Sequence, residues 1–154
     1  MNIEKHEKHY YFMNIALEEA KKACEIDEVP VGAVIVIGND IIAKSHNLMR
    51  KNNNPTSHAE ILAIEKALIK TGKTYLNNAE LYVTLEPCCM CTGAISLSRI
   101  GKLIFGATDF KRGLVNKENN FFKSKQCHWS PDIHNGIMES ESSNLLKNFF
   151  KVKR

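Results

Sequence analysis

An α/β sandwich, in which a mixed sheet is covered by helices, is the architecture this sequence predicts. Three observations carry it. Residues 11–24 and 58–72 set apolar side chains at helical spacing; two β-branched runs flank a Gly-Asn-Asp turn; and over 79–107 a strand-like run, a helix-like run and a second strand-like run follow in order.

In the first helix Phe12, Ile15, Ala16, Ala20 and Ala23 form the apolar stripe, with Glu18, Glu19, Lys21 and Lys22 between them. It should stop before "EVPVG". "AVIVI" and "IIAKS", joined through Gly38, Asn39 and Asp40, read as an antiparallel hairpin. The Asn-rich "MRKNNNPTS" reads as loop. "HAEILAIEKALIKTG" then gives a second helix, with Ile61, Leu62, Ile64, Ala67 and Leu68 as its apolar side and Gly72 as its stop. "AELYVTL" and "GKLIFGA" read as strands around "PCCMCTGAISLS", a helix opened by Pro87. A helical crossover between strands argues for parallel pairing. From Thr108 to Asp132 the periodicity fades, apart from a short helix at Asn120 to Lys123. Leu145, Leu146, Phe149 and Phe150 mark a last helix with a basic tail, Lys147, Lys151, Lys153 and Arg154.

The chain of 154 residues, 44% hydrophobic, can bury one sizeable core, so residues 1–154 are expected to form a single domain. Five cysteines, an odd number, and a charged, aromatic start "MNIEKHEKHYYF" argue against a disulfide framework and a secretory leader, and for the cytoplasm. No apolar run reaches the roughly 20 residues of a membrane span. The net charge of +4 favours polyanionic partners.

Three of the five cysteines crowd into "TLEPCCMCTG". Cys88 and Cys91, three apart at a helix start, fall within one turn, where a single metal can take both sulfurs and the helix dipole favours the thiolate. The same spacing also suits a redox pair or two buried thiols. His58 in "PTSHAE" can supply a nitrogen ligand. Glu60 has two readings, because Ser57 followed three residues later by Glu60 is also a capping-box pattern. Residues two apart on a helix point in nearly opposite directions, so His58 and Glu60 share a site only if it lies against the helix end. His-x-Glu at one helix start with Pro-Cys-x-x-Cys at another gives three zinc ligands, His58, Cys88 and Cys91, and leaves a fourth position for water.

"HAE" with "PCxxC" resembles the signature of the zinc-dependent nucleoside and nucleobase deaminases. "EVPVGAV", "NPTSHAEILA", "LYVTLEPCCMCTGAI", "SRIGKLIFGA" and "LLKNFFK" together resemble, in order and spacing, the bacterial TadA-type tRNA adenosine deaminases over nearly the whole chain. The resemblance implies a cytidine deaminase-like three-layer α/β/α sandwich with a mixed five-stranded sheet, one zinc ion per subunit and a homodimer. It further implies that adenosine becomes inosine at the wobble position of a tRNA anticodon stem-loop, by attack of a zinc-activated hydroxide on C6 with Glu60 as proton shuttle. Asn47 is then a contact to the substrate base or ribose, and Asp109 and Lys111 line the RNA path. On the last helix Phe149 suits either packing on the sheet or an edge against RNA, and the basic tail with Lys151 and Arg154 suits either phosphate contacts or a solvated surface. Cys89 and the stretch "KRGLVNKENNFFKSKQCHW" depart from the family pattern. Two rivals stay open: a deaminase of free bases or nucleosides sharing the zinc residues, and a non-catalytic zinc-stabilised RNA-binding module.

Overall fold

A computed structural model describes residues 3–116 and 118–153. Ten elements follow in order: α1 (Ile3–Glu25), β1 (Gly32–Ile37), β2 (Asp40–His46), α2 (Ala59–Thr71), β3 (Ala79–Leu85), α3 (Cys89–Leu97), β4 (Lys102–Ala107), a 3-10 turn (Phe121–Lys123), β5 (Asp132–His134) and α4 (Glu139–Lys153). The strands form one mixed sheet in the order β2-β1-β3-β4-β5, antiparallel between β2, β1 and β3 and parallel from β3 to β5. The expected hairpin, the parallel β3/β4 pair and the five-stranded sheet are all present.

Alternation along the central strands makes three layers. Ala33, Ile35, Leu81, Val83, Leu103 and Phe105 face a core shared with Ala63, Ala67 and Ile95, on the side of α2 and α3. Val34, Val36, Tyr82 and Ile104 face the opposite way and pack on Phe12, Met13 and Ala16 of α1. Such two-sided burial is why these strands read as continuous apolar runs. α1 crosses β1 at Gly32, where a Cβ would stand 1.9 Å from the carbonyl oxygen of Ala16. Only glycine permits that approach.

Four expectations need adjustment. α1 begins eight residues earlier than its stripe suggested, because Lys8 and His9 are anchored to β3 through Glu80 and Tyr82. α3 starts at Cys89, not at Pro87, since Cys88 is extended (φ −77°, ψ 179°) and serves as the N-cap. In α2 the fully buried stripe is Ala59, Glu60, Ala63, Ile64 and Ala67, and Ile61, Leu62 and Leu68 are only half-buried. In α4 Phe150 is exposed, so the covered face is narrower than its apolar residues implied. Gly72 does end α2, in the left-handed conformation, and Asn120 opens the short turn by accepting the Phe122 N–H at 2.9 Å.

Candidate active site

Two helices deliver the chemistry, and each begins on a ligand. His58 is the N-cap of α2 and Cys88 the N-cap of α3, both extended and neither making a side-chain capping bond. A residue just outside the helix is freed from helical side-chain directions, so His58 and Glu60 converge although they are two apart. The capping box does not form: Ser57 lies one residue before the N-cap, and its hydroxyl accepts from Asn52 Nδ2 at 3.3 Å.

His58 Nδ1 lies 3.6 Å from Cys88 Sγ and 3.6 Å from Cys91 Sγ. All three ligand atoms lie within 4.8 Å of one another, and among the described residues no other group of three such side chains comes together. Nitrogen and sulfur ligands on one tetrahedral zinc stand about 3.6 Å apart, given their usual bond lengths. The donor set therefore fits zinc without rearrangement, and two thiolates with an imidazole favour it over harder ions. Cys91 is buried, Cys88 half-buried, and Cys89 exposed on the outside of the same turn.

The electrostatics agree with that use. A hydrogen bond from Cys91, followed by one from His58, holds the Cys88 thiol down at about 3 against the cost of its burial. Cys91 moves the opposite way, pushed up by sharing with Cys88 and by burial. His58 is raised by its hydrogen bond to Cys88, and burial opposes the rise. Glu60 is 4% exposed, and burial raises its carboxyl to about 6 while its own amide and His58 pull the other way. A carboxyl titrating there takes up and returns a proton at near-neutral pH.

The remaining sequence candidates separate into two groups. Asn47 is buried at the end of β2, and its backbone N–H bonds Val31. The N–H of the next residue, Leu48, bonds the carbonyl of Ser57, beside His58, so Asn47 sits on the rim of the metal-binding turn. Asp109 closes its own turn by accepting from the N–H groups of Lys111 and Arg112 at 3.1 and 3.0 Å. The Lys111 side chain is exposed. Phe149, Lys151 and Lys153 lie in the last turns of α4, away from the ligand triangle in sequence; Lys153 pairs with Asp27 and sits over the Phe149 ring. Arg154 lies outside the described residues.

One residue went unread in the sequence. Glu86, two before Cys88, is 2% exposed, and its carboxylate accepts from three backbone N–H groups of residues 109–116. The only local signal was an acidic residue directly after the strand-like run "AELYVTL". Cys24, His46, Cys127 and His128 stay outside the ligand group; Cys127 bonds the carbonyl of Trp129 and His46 faces Glu19.

Comparison with known proteins fits this geometry. The family described as the cytidine and deoxycytidylate deaminase zinc-binding region matches residues 6–107. A tRNA-specific adenosine deaminase of Agrobacterium fabrum is 49% identical over 94% of this chain and 95% of its own length. One from Bacillus subtilis is 43% identical over 93% and 89%. A solved structure from a study of A-to-I editing by tRNA:A34 deaminases at the wobble position of transfer RNA superposes with a TM-score of 0.86 at 48% identity, over 88% of this chain and 99% of that one. With a His-Cys-Cys triangle, a buried glutamate against it, and relatives similar from end to end, the chain belongs to the zinc-binding cytidine and deoxycytidylate deaminase family, in its branch of tRNA-specific adenosine deaminases.

Proposed function

We propose that residues 1–154 act as one domain that hydrolytically deaminates adenosine to inosine at the wobble position of a tRNA anticodon. The observation that carries this reading is Glu60, buried beside the His58, Cys88 and Cys91 triangle in a chain 49% identical to a tRNA-specific adenosine deaminase. A structural metal site has no need of a buried carboxylate at its open side.

His58, Cys88 and Cys91 would hold one zinc ion, which would supply Lewis acidity that lowers the pKa of a water toward neutral. The chain's own groups do the rest. Raised toward neutral by burial, Glu60 can act in either form: as the carboxylate it accepts the first proton of the attacking water and passes it to the ring nitrogen N1. As the C6 hydroxyl collapses to a carbonyl, Glu60 takes that second proton and hands it to the departing amine, which leaves as ammonia. The uncapped start of α3 sets backbone N–H groups and the positive end of a helix dipole beside the reacting centre, which favours negative charge developing on oxygen.

Asn47, on the rim, orients the base or ribose. Lys111, the exposed Lys151 and, from outside the described residues, Arg154 meet phosphate; Asp109 shapes the turn that carries Lys111, and Phe149 offers a ring edge. An anticodon loop suits a buried site, because its bases are presented without melting a duplex. Phosphate contacts of this kind weaken as salt rises. The reading includes a homodimer acting in the cytoplasm; Ile69 on α2 and Leu97 at the end of α3, each about four-fifths exposed, are the kind of apolar surface a partner subunit covers. Among the described residues no helix is long and apolar enough to cross a membrane.

The test is turnover of an anticodon stem-loop carrying a wobble adenosine, beside free adenosine, cytidine and guanine. Inosine from the stem-loop alone is the expected result. Product from a free base or nucleoside, and none from the RNA, would overturn the substrate while leaving the zinc site in place.

A further inference from the structure

Glu86 lies in the connection from β3 to α3, one residue before Pro87 and two before Cys88. It is nearly inaccessible to solvent and makes no ion pair among the described residues, a costly arrangement for a carboxylate unless hydrogen bonds replace its water. The replacements all come from one segment. Oε1 accepts the N–H of Asp109 at 3.2 Å, and Oε2 accepts those of Val115 at 2.9 Å and Asn116 at 3.2 Å. Gly113 completes the seat: a Cβ there would stand 2.2 Å from Oε2. The backbone N–H of Glu86 itself bonds the carbonyl of Ala107, at the root of the same segment.

A loop of nine residues that lacks regular structure would otherwise leave those amides to water. Within it, the Asp109 side chain shapes the turn at Lys111 and Arg112 by accepting both of their N–H groups. Lys111 and Arg112 directly precede Gly113, which lies against Glu86, so the segment carries cations beside the turn that bears Cys88. Glu86 gathers both of its ends with three bonds to backbone, and a longer side-chain bond from Asn116 Nδ2 to Thr108 Oγ1, at 3.4 Å, joins them as well.

We propose that Glu86 is a positioning residue for substrate, locking the loop 108–116 to the turn that bears Cys88 so that the loop's cationic surface faces the site in one fixed arrangement. The role rests on the tRNA deaminase reading for its substrate, while the lock itself does not. Glutamine in its place keeps the volume but turns one acceptor into a donor, which opposes a backbone N–H at one end of the loop.

The experiment uses the zinc-loaded full chain and two variants, Glu86→Gln and Gly113→Ala, the second attacking the lock from the loop side should the first fail to fold. Two readouts are taken. Hydrogen exchange at the amides of Asp109, Val115 and Asn116 should speed by about tenfold or more in either variant. KM for the stem-loop should rise about tenfold, with zinc content unchanged and kcat within about twofold. A residue with only a structural role would instead lower zinc content or the active fraction and leave KM alone. Unchanged amide exchange, or a loss of kcat at constant KM, overturns the proposal. If the wild-type chain does not turn over the stem-loop, the tRNA reading fails, and the exchange rates still decide whether Glu86 holds the loop.

Discussion

At Glu60 two requirements oppose one another: burial, which penalises a carboxylate, and catalysis, which needs one. The compromise is a carboxyl raised to about 6 by burial, beside ligands whose charges the metal neutralises. Glu60→Gln preserves shape, exchanges one acceptor for a donor and cannot move a proton. Its turnover should fall by a factor on the order of 10² to 10⁴ with one zinc retained per chain, measured as kcat beside metal content. Turnover within tenfold of wild type would remove Glu60 from the proton path. His58, Glu60, Cys88 and Cys91 were legible because their side-chain chemistry and close spacing survive in one dimension. Whether Glu60 also capped its helix was not, because the answer turned on a single residue of helix start, Ser57 or His58. Glu86 was illegible for a different reason: its partners lie 23 to 30 residues downstream and offer only backbone.

Elements held by their own periodicity were read correctly, and those held by distant contacts were not. The hairpin, α2 with its glycine stop, and the parallel pair around α3 follow from local pattern. The first turns of α1 are polar, and what fixes them is Lys8 and His9 reaching across to β3. β5 has three residues, too few to show an alternation, and exists because β4 offers it a parallel edge. The crossing of α1 over β1 is an element-scale constraint with a single-residue test. Gly32→Ala forces a Cβ against the Ala16 carbonyl and should cost about 3 kcal/mol, read as a lower urea midpoint at unchanged m-value. A midpoint within experimental error of wild type would show that the helix moves aside freely.

Across the whole molecule, the face of the sheet opposite the active site carries a pH dependence of its own. His9, on α1 against the sheet, bonds Tyr82 at 2.9 Å, and Tyr82 donates to Glu80 at 2.8 Å, so the imidazole is held on one nitrogen and its other, Nε2, is buried with no hydrogen-bond partner among the described residues. Burial, with His134 adding to it, lowers its pKa from 6.5 to about 4; Glu80 opposes, and Lys102 and Lys5 reinforce. The folded chain therefore keeps His9 neutral where the unfolded chain takes a proton. Its contribution is intact above pH 6.5, declines as pH falls toward 4, and levels off below, where both states are protonated. Over that window the loss should be about 2 kcal/mol, reduced from the full linkage value by solvent screening of the neighbouring charges. Urea titrations at several pH values check it, with His9→Gln expected to flatten that part of the profile.

The two N-cap ligands have a consequence for chain entropy. His58 and Cys88 stand 30 residues apart, and the segment between them contains all of α2 and β3. An ion bound to both closes that segment into a ring, a cross-link of the kind a disulfide makes but one that forms and dissolves with metal supply. The same atom that equips the site for chemistry thereby fastens the second helix to the third, and the unfolded chain has fewer conformations to gain for as long as the ion stays bound.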